Sequence, residues 1–273
     1  MEVFALYFSP TGNTRDVVRA VAKGISKVIS GRDFYSIDLT AKGDRAGVYE
    51  FGEKDVVIVG LPTYAGRIPN KIEPYVSSSI YGHKALAIPV VTYGNRAFDD
   101  SLKELAYILT NNEMIVSGGL AVPCEHAFSD SLATGRPTDE DLARIEEYGQ
   151  MLGKKILEGK AGAIELSDIL GRDAESFEYY RPLKENNEPA SFLKAMPYTD
   201  KDKCTGCNAC KEICPMGCFD ESVLEAQGVC IKCHGCIKAC PYGAKYFDDE
   251  DLASHIRMLQ NNYKDIKNDI FFL

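Results

Sequence analysis

No apolar run in this 273-residue chain reaches the length of a bilayer span. The first residues, Met-Glu-Val-Phe-Ala, carry no basic n-region and pass straight into a strand pattern, so a signal peptide is not expected and a cytoplasmic location is. Positive charge is not in excess. Lys and Arg number 31 against 40 Asp and Glu, and the net charge of −9 argues against nucleic acid as a partner. Neither G-K-S/T nor G-x-G-x-x-G occurs, which removes the Walker A loop and the dinucleotide fingerprint. Cysteine is scarce outside one stretch. Nine of the ten lie between positions 204 and 240, eight of them in one repeated motif, so a disulfide scaffold is a poor reading. The composition, 45% hydrophobic and 26% charged, is that of a globular protein.

That one stretch organises the rest. It reads C-T-G-C-N-A-C-K-E-I-C-P from Cys204 and C-I-K-C-H-G-C-I-K-A-C-P from Cys230, two full copies of C-x2-C-x2-C-x3-C-P. This is the bacterial two-cluster ferredoxin run, in which three closely spaced thiolates wrap one cubane and the fourth reaches the other. The spacing predicts two 4Fe-4S clusters. Cys204, Cys207, Cys210 and Cys240 would hold one, and Cys230, Cys233, Cys236 and Cys214 the other. Pro215 and Pro241 turn the chain away after each fourth ligand. The alternative is zinc, but four-cysteine zinc sites use two C-x2-C pairs and need neither a third Cys two residues on nor a duplicated proline. Cys218 lies outside both runs and reads as a small buried residue, with a substitute ligand or redox thiol as the other reading.

The amino-terminal part has a βα rhythm. Residues 3–8 are continuously apolar, as in a strand covered on both faces. Ser9-Pro10-Thr11-Gly12-Asn13-Thr14 follows, and then Val17, Val18, Val21, Ala22, Ile25 and Val28 recur at helical spacing. A loop rich in hydroxyls and glycine at a helix start is an anion site, although an ordinary capping turn can look alike. Residues 33–39, 55–60, 84–91 and 114–122 read as four more strands, with 33–39 at an edge. Residues 101–109 and 138–157 read as helices, the second opened by a Thr138–Asp141 capping box and closed near Gly159. Five strands alternating with helices predict a doubly wound parallel sheet. Residues 160–203 show no sustained period and read as a connector with a short helix near 191–195. A helix over 249–259 follows the cysteines, with Phe271, Phe272 and Leu273 docking it.

Ser9 to Thr14 resembles the FMN phosphate loop of flavodoxins, S/T-x-S/T-G-x-T. Pro62-Thr63-Tyr64-Ala65-Gly66-Arg67 and Thr92-Tyr93-Gly94-Asn95-Arg96 resemble the two loops that flank a flavin ring. With the cysteine run, the whole resembles a flavodoxin–ferredoxin fusion family of anaerobic bacteria. The resemblance implies an α/β, flavodoxin-like five-stranded parallel sheet in order 2-1-3-4-5, then a small α+β 2[4Fe-4S] ferredoxin-like domain. It implies FMN at the carboxyl ends of strands 1, 3 and 4. Ser9, Thr11, Gly12, Asn13 and Thr14 would take the phosphate. Pro62, Thr63, Tyr64 and Ala65 would line one edge of the ring, and Thr92, Tyr93, Gly94 and Asn95 the other, with Tyr64 or Tyr93 stacking. The domain expectation is 1–160 flavodoxin-like, 161–197 connector, 198–248 ferredoxin, and 249–273 helix and tail.

The chain departs from simple flavodoxins in having no tryptophan and in placing Arg67 and Arg96 near the proposed ring. Those arginines would stabilise reduced anionic flavin, or pair with acids such as Asp99 and Asp100. Cys124 and His126 leave the fifth strand. A nucleophilic pair is one reading, and a buried thiol with a surface histidine is the other. The functional expectation is an electron-transfer protein passing electrons between two clusters and FMN, converting one- and two-electron chemistry for a redox partner. The alternative is an FMN-dependent reductase of a quinone, nitro compound or similar oxidant, fed by the clusters. A partner would offer a basic patch, and a homodimer is compatible with the sequence.

Overall fold

The computed structural model describes residues 1–164, 169 and 176–272. Its centre is a sheet built from β1 (Glu2–Tyr7), β2 (Tyr35–Asp38), β4 (Asp55–Pro62), β6 (Leu86–Tyr93) and β8 (Gly119–Pro123), all parallel. Their spatial order is β2-β1-β4-β6-β8, the flavodoxin-like 2-1-3-4-5 once the minor strands are set aside. β3 (Tyr49–Glu50) and β5 (Ile80–Tyr81) pair separately beside it.

The strands are apolar on both faces because helices cover both. Val3, Ala5, Tyr7, Val56, Ile58, Ile88 and Val90 point to α1 (Asn13–Ile29) and α4 (Asp139–Leu157). Leu6, Phe8, Val57, Val59, Leu61, Ala87 and Val91 point the other way, to α2 (Glu73–Ser79) and α3 (Ser101–Asn111). Alternation along each strand therefore feeds two cores. α1 and α4 pack with their backbones almost touching. A Cβ on Gly149 would stand 2.4 Å from the Val21 carbonyl oxygen, and one on Gly24 2.1 Å from that of Glu146.

Two expectations about this sheet change. The single strand over 114–122 is broken into β7 (Ile115–Val116) and β8, because the Tyr148 hydroxyl enters the backbone there. It accepts from the Gly119 N–H at 3.0 Å and bonds the Gly119 carbonyl at 2.9 Å. The tail does not dock the last helix. Phe271 and Phe272 belong to β11 (Ile270–Phe272), which pairs antiparallel with β8 and covers the sheet edge. Leu273 lies outside the described residues.

The cysteine-bearing part is small. β9 (Pro197–Thr199) and β10 (Lys245–Phe247) form an antiparallel pair around two short helices, α5 (Ala209–Glu212) and α6 (Gly235–Lys238), offset by 26 residues. Each follows a left-handed residue, Asn208 (φ 65°) or His234 (φ 58°). α7 (Glu250–Asn262) returns towards the first core, capped by Asp249. Residues 191–195 form a turn closed by Ala195 N–H to Phe192 C=O at 3.0 Å rather than a helix.

Candidate cofactor sites

A cleft of about 910 Å³ opens at the carboxyl ends of β1, β4 and β6, within the size range of ligand pockets. Thr11, Asn13 and Thr14 line it from the first loop, Pro62 to Gly66 from the second, and Thr92, Tyr93, Gly94 and Arg96 from the third. The sequence placed these three loops together and the fold does so. The loops are mutually tied. Thr14 and Thr92 hydroxyls meet at 2.7 Å, the Thr63 N–H donates to the Thr92 carbonyl at 2.7 Å, and the Asn13 amide donates to the Glu125 carbonyl at 3.2 Å.

The first loop suits a phosphate. Gly12 takes φ 92° and has no side chain to cap α1, so beyond the Arg15 N–H taken by Ser9 the helix start is open to an anion. Ser9 and Gly12 shape this loop from beneath rather than lining the cleft. The Ser9 hydroxyl accepts from the Arg15 N–H at 3.0 Å.

Three expected ring contacts are redistributed. Asn95 is wholly buried and turned away, its amide donating to the Tyr263 and Asp265 carbonyls at 2.8 and 3.0 Å and its oxygen accepting from the Lys267 N–H at 3.1 Å. It anchors the carboxyl-terminal segment. Tyr93 reaches the cleft, but its ring is buried against Phe98 at 5.6 Å and its phenol is pushed up to about 12 by burial. Tyr64 is left as the aromatic wall. Its phenol is pushed well up by burial and then by the nearby Cys233 and Cys230. The Ala65 carbonyl is already taken by the Tyr180 N–H at 2.8 Å.

Arg67 and Arg96 are paired. Arg67 bonds Glu104, its Nε at 3.1 Å, and lies 4.6 Å over the Tyr179 ring. Arg96 bonds Asp99 and lies 3.7 Å over Tyr180. Their positive charge is spent on acids, as the second reading of the sequence allowed, and their faces hold the connector. Cys124 and His126 form no catalytic pair. The Cys124 thiol is buried, faces the Val122 carbonyl at 3.7 Å, and is pushed up by burial. His126 accepts from the Phe128 N–H at 3.0 Å and is pushed down to about 4, chiefly by burial and then by His255 and Arg96.

Sequence reasoning missed a fourth wall. Tyr179, Tyr180, Phe192 and Met196 of the connector and His255 and Leu259 of α7 close the cleft. The run F-E-Y-Y-R-P in an otherwise polar connector was the available signal.

The cysteines fall into two groups. Cys204, Cys207, Cys210 and Cys240 surround one small hollow with Asn208, which keeps a buried side-chain oxygen without a partner. An orphaned carboxamide on a cavity wall fits a missing group, since the amide can turn to donate N–H. Of the other four, Cys214, Cys230 and Cys236 pack in one cluster with Cys218 and Phe219, and Cys233 lines the cleft beside Cys230. Among the described residues no three His, Cys, Asp or Glu side chains converge on a single metal ion. A cubane asks for something else, one thiolate for each of four irons. Backbone N–H groups already point at sulfur in matching places, Cys218 to Cys214 at 3.3 Å and Ala244 to Cys240 at 3.2 Å. Cys218 itself is buried and points its thiol at the Val229 carbonyl, 3.4 Å away.

A 4Fe-4S binding domain family matches residues 197–220, and a second 4Fe-4S binding domain family matches residues 227–243. The carboxyl-terminal part is a 4Fe-4S binding region. It joins a flavodoxin-like domain, whose strand order makes it so. Over 129 residues the chain is 26% identical to the NADP-reducing hydrogenase subunit HndC of Solidesulfovibrio fructosivorans, covering 44% of this chain and only 26% of that subunit. A flavodoxin from the domain Archaea overlaps 57% of this chain and 99% of its own at 17% identity, TM-score 0.42. A flavodoxin of Streptococcus pneumonia TIGR4 covers the same shares at 18% identity, TM-score 0.40.

The 4Fe-4S binding region meets the flavodoxin-like domain through both halves, with Arg45 bonding the Pro215 carbonyl in the first. A Cβ on Gly235 would stand 2.9 Å from the Pro10 carbonyl oxygen. His234 packs between Phe128 (4.5 Å) and Phe247 (4.7 Å), and Lys238 bonds Glu125 at 2.9 Å. Cys230 and Cys233 line the same cleft as the three loops. Among the described residues no helix is long and apolar enough to cross a membrane.

Proposed function

We propose that the chain is an electron-transfer flavo-iron–sulfur protein, with FMN in the cleft and two 4Fe-4S clusters on the eight cysteines, serving a one-electron redox partner. The observation that carries this is one cleft walled by the loops after β1, β4 and β6 and also by Cys230 and Cys233. When bound, FMN exchanges one or two electrons and each cluster one, which couples the two kinds of chemistry. The chain's own residues do the placing. Thr11, Asn13, Thr14 and the open start of α1 would take the phosphate, and Tyr64 supplies the aromatic face beside Cys230 and Cys233. Cys207, exposed at the other hollow, marks the side a partner would approach. With a net charge of −9, that partner is expected to be basic where it docks.

The connector favours a second reading, an FMN-dependent reductase of a small oxidant such as a quinone or nitro compound. Tyr179, Tyr180, Phe192 and His255 add an aromatic wall that a phosphate loop and two ring loops do not require. Saturable turnover of such an oxidant, far above that of free FMN, would decide for it.

The test is an anaerobic preparation assayed for iron, sulfide and FMN per chain, then reduced with less than one equivalent of dithionite. Electron exchange between clusters and flavin should proceed at a rate independent of protein concentration. Colourless protein, zinc in place of iron, or exchange that rises with concentration would overturn the proposal.

A further inference from the structure

The two halves of the cysteine region are related by a shift of 26 residues, and the shift exposes one inequality. Cys210 answers to Cys236, Cys214 to Cys240, Asn208 to His234 and Gly217 to Gly243, the last pair both left-handed. By the same shift Phe219 answers to Lys245. One half places an aromatic ring where the other places an ammonium.

Lys245 is 3% exposed. Its Nζ donates to the Thr199 hydroxyl at 2.5 Å and to the Val223 carbonyl, and lies 4.1 Å from the Phe219 ring centroid. Among the described residues no carboxylate pairs with it. A buried ammonium without a counter-charge is costly, and its neutral partners offset only part of that cost. Yet Lys245 lines the hollow of Cys204, Cys207, Cys210 and Cys240.

We propose that Lys245 is the built-in counter-cation of the cluster held by those four cysteines, and that it makes the two clusters unequal in potential. The proposal rests on the 4Fe-4S reading of the cysteines and goes beyond it. Four thiolates bring negative charge to the hollow, and adding one electron makes it more negative. A fixed cation in a low-dielectric site favours the reduced form. The other group has half-buried Lys232 on its side instead, its Nζ donating to the Cys230 and Leu193 carbonyls, so the cluster with exposed Cys207, beside the deeply buried Lys245, should take up an electron more readily than the one beside the cleft. Lys245 acts as a positioning and tuning residue, touching neither the flavin cleft nor a partner.

The experiment is a redox titration of the purified holoprotein, followed by electron paramagnetic resonance, for wild type, Lys245→Met, Lys245→Gln and Lys245→Arg. In wild type the two clusters should titrate apart. In Lys245→Met and Lys245→Gln one cluster should move to more negative potential by at least about 59 mV. That is a tenfold fall in its reduced-to-oxidised ratio at fixed potential for a one-electron couple. The other cluster and the flavin should not move, and Lys245→Arg should keep the wild-type curve. Iron lost from the Met and Gln variants but retained by Arg would equally support a counter-ion. Clusters that do not move in the Met and Gln variants, or that move together with the flavin, would overturn the proposal. So would iron lost from all three variants, because the side chain would then be structural. Wild-type protein without iron would instead sink the cluster reading itself.

Discussion

The Arg96 guanidinium lies 3.7 Å from the centroid of the Tyr180 ring, with Asp99 bonded on its edge. The same strap is held by Arg67 over Tyr179, by the Tyr180 N–H on the Ala65 carbonyl, and by Lys232 on the Leu193 carbonyl. A partly desolvated cation–π contact contributes about 1–2 kcal/mol. Arg96→Ala should therefore loosen the strap by about tenfold in its closed-to-open ratio. Faster proteolytic cutting between positions 176 and 196 and faster FMN release would report this. Unchanged cutting and release would show that the strap does not depend on Arg96.

His126 rests against Gly94. A Cβ at position 94 would stand 2.1 Å from His126 Cδ2 and 2.5 Å from its Cγ, closer than any real contact. Gly94→Ala must drive the imidazole off the third loop, where it lines the cleft. Overpacking of this kind costs about 1–3 kcal/mol, so FMN affinity should fall at least about tenfold. Iron content should stay at the wild-type value, because the cysteines are untouched. Fluorescence titration with FMN and an iron assay give the two readouts together. A variant that binds FMN as tightly as wild type would show that this loop does not face the flavin.

The sheet and the two cysteine runs were legible because each follows from local rules. Strands apolar on both faces announce helices on both sides, and a duplicated thiolate spacing has few uses. The loop joining β1 to the start of α1 was legible for the same reason. Asn95 was misplaced because its role depends on Tyr263, Asp265 and Lys267, about 170 residues away in sequence. Arg96 lines the cleft and Arg67 does not, and their partners Glu104, Tyr179 and Tyr180 come from elements that only the fold brings near. β11 was invisible because three apolar residues at a terminus look the same whether they meet a helix or a sheet edge. The 26-residue shift sets Lys245 opposite Phe219 in the sequence, but its burial and its partners Thr199 and Val223 come only from the fold.

α1 and α4 leave no room between their backbones. At Gly149 a Cβ would meet the Val21 carbonyl oxygen at 2.4 Å and the Gly24 Cα at 3.1 Å. Both contacts are backbone, so neither can swing aside. Gly149→Ala should destabilise the flavodoxin-like domain by about 1–3 kcal/mol or more, a drop of about 2–4 °C in Tm per kcal/mol. An exposed control on the same helix, Met151→Ala, should change Tm little. Equal Tm values for Gly149→Ala and wild type would mean the helices can part at no cost.

The carboxyl-terminal tail depends on buried charge, which makes its docking sensitive to acid. Arg136 grips Asp141 with two bonds of 2.8 and 2.9 Å and reaches Asp269 at 3.4 Å, while Arg144 adds Asp141 at 2.5 Å and Asp269 at 3.0 Å. Burial pushes the Asp141 carboxyl up, but bonds from Arg136, the Thr138 N–H and Arg144 outweigh it and hold the group well below the usual carboxylate range. A depressed folded-state pKa contributes stability that is fully present above the unfolded value, about 3.9, and is lost as pH falls towards the folded value. Tail docking should therefore be steady from pH 7 to about pH 5 and weaken below about pH 4. Asp141→Asn should cost on the order of 3 kcal/mol at pH 7, because it leaves buried Arg136 with Asp269 as its carboxylate partner beside the Lys267 carbonyl. It should also flatten the acid limb of the stability curve. Hydrogen exchange at 270–272, read at pH 7 and pH 3.5, measures both effects. If the variant and wild type lose protection in parallel as pH falls, Asp141 is not the group that titrates.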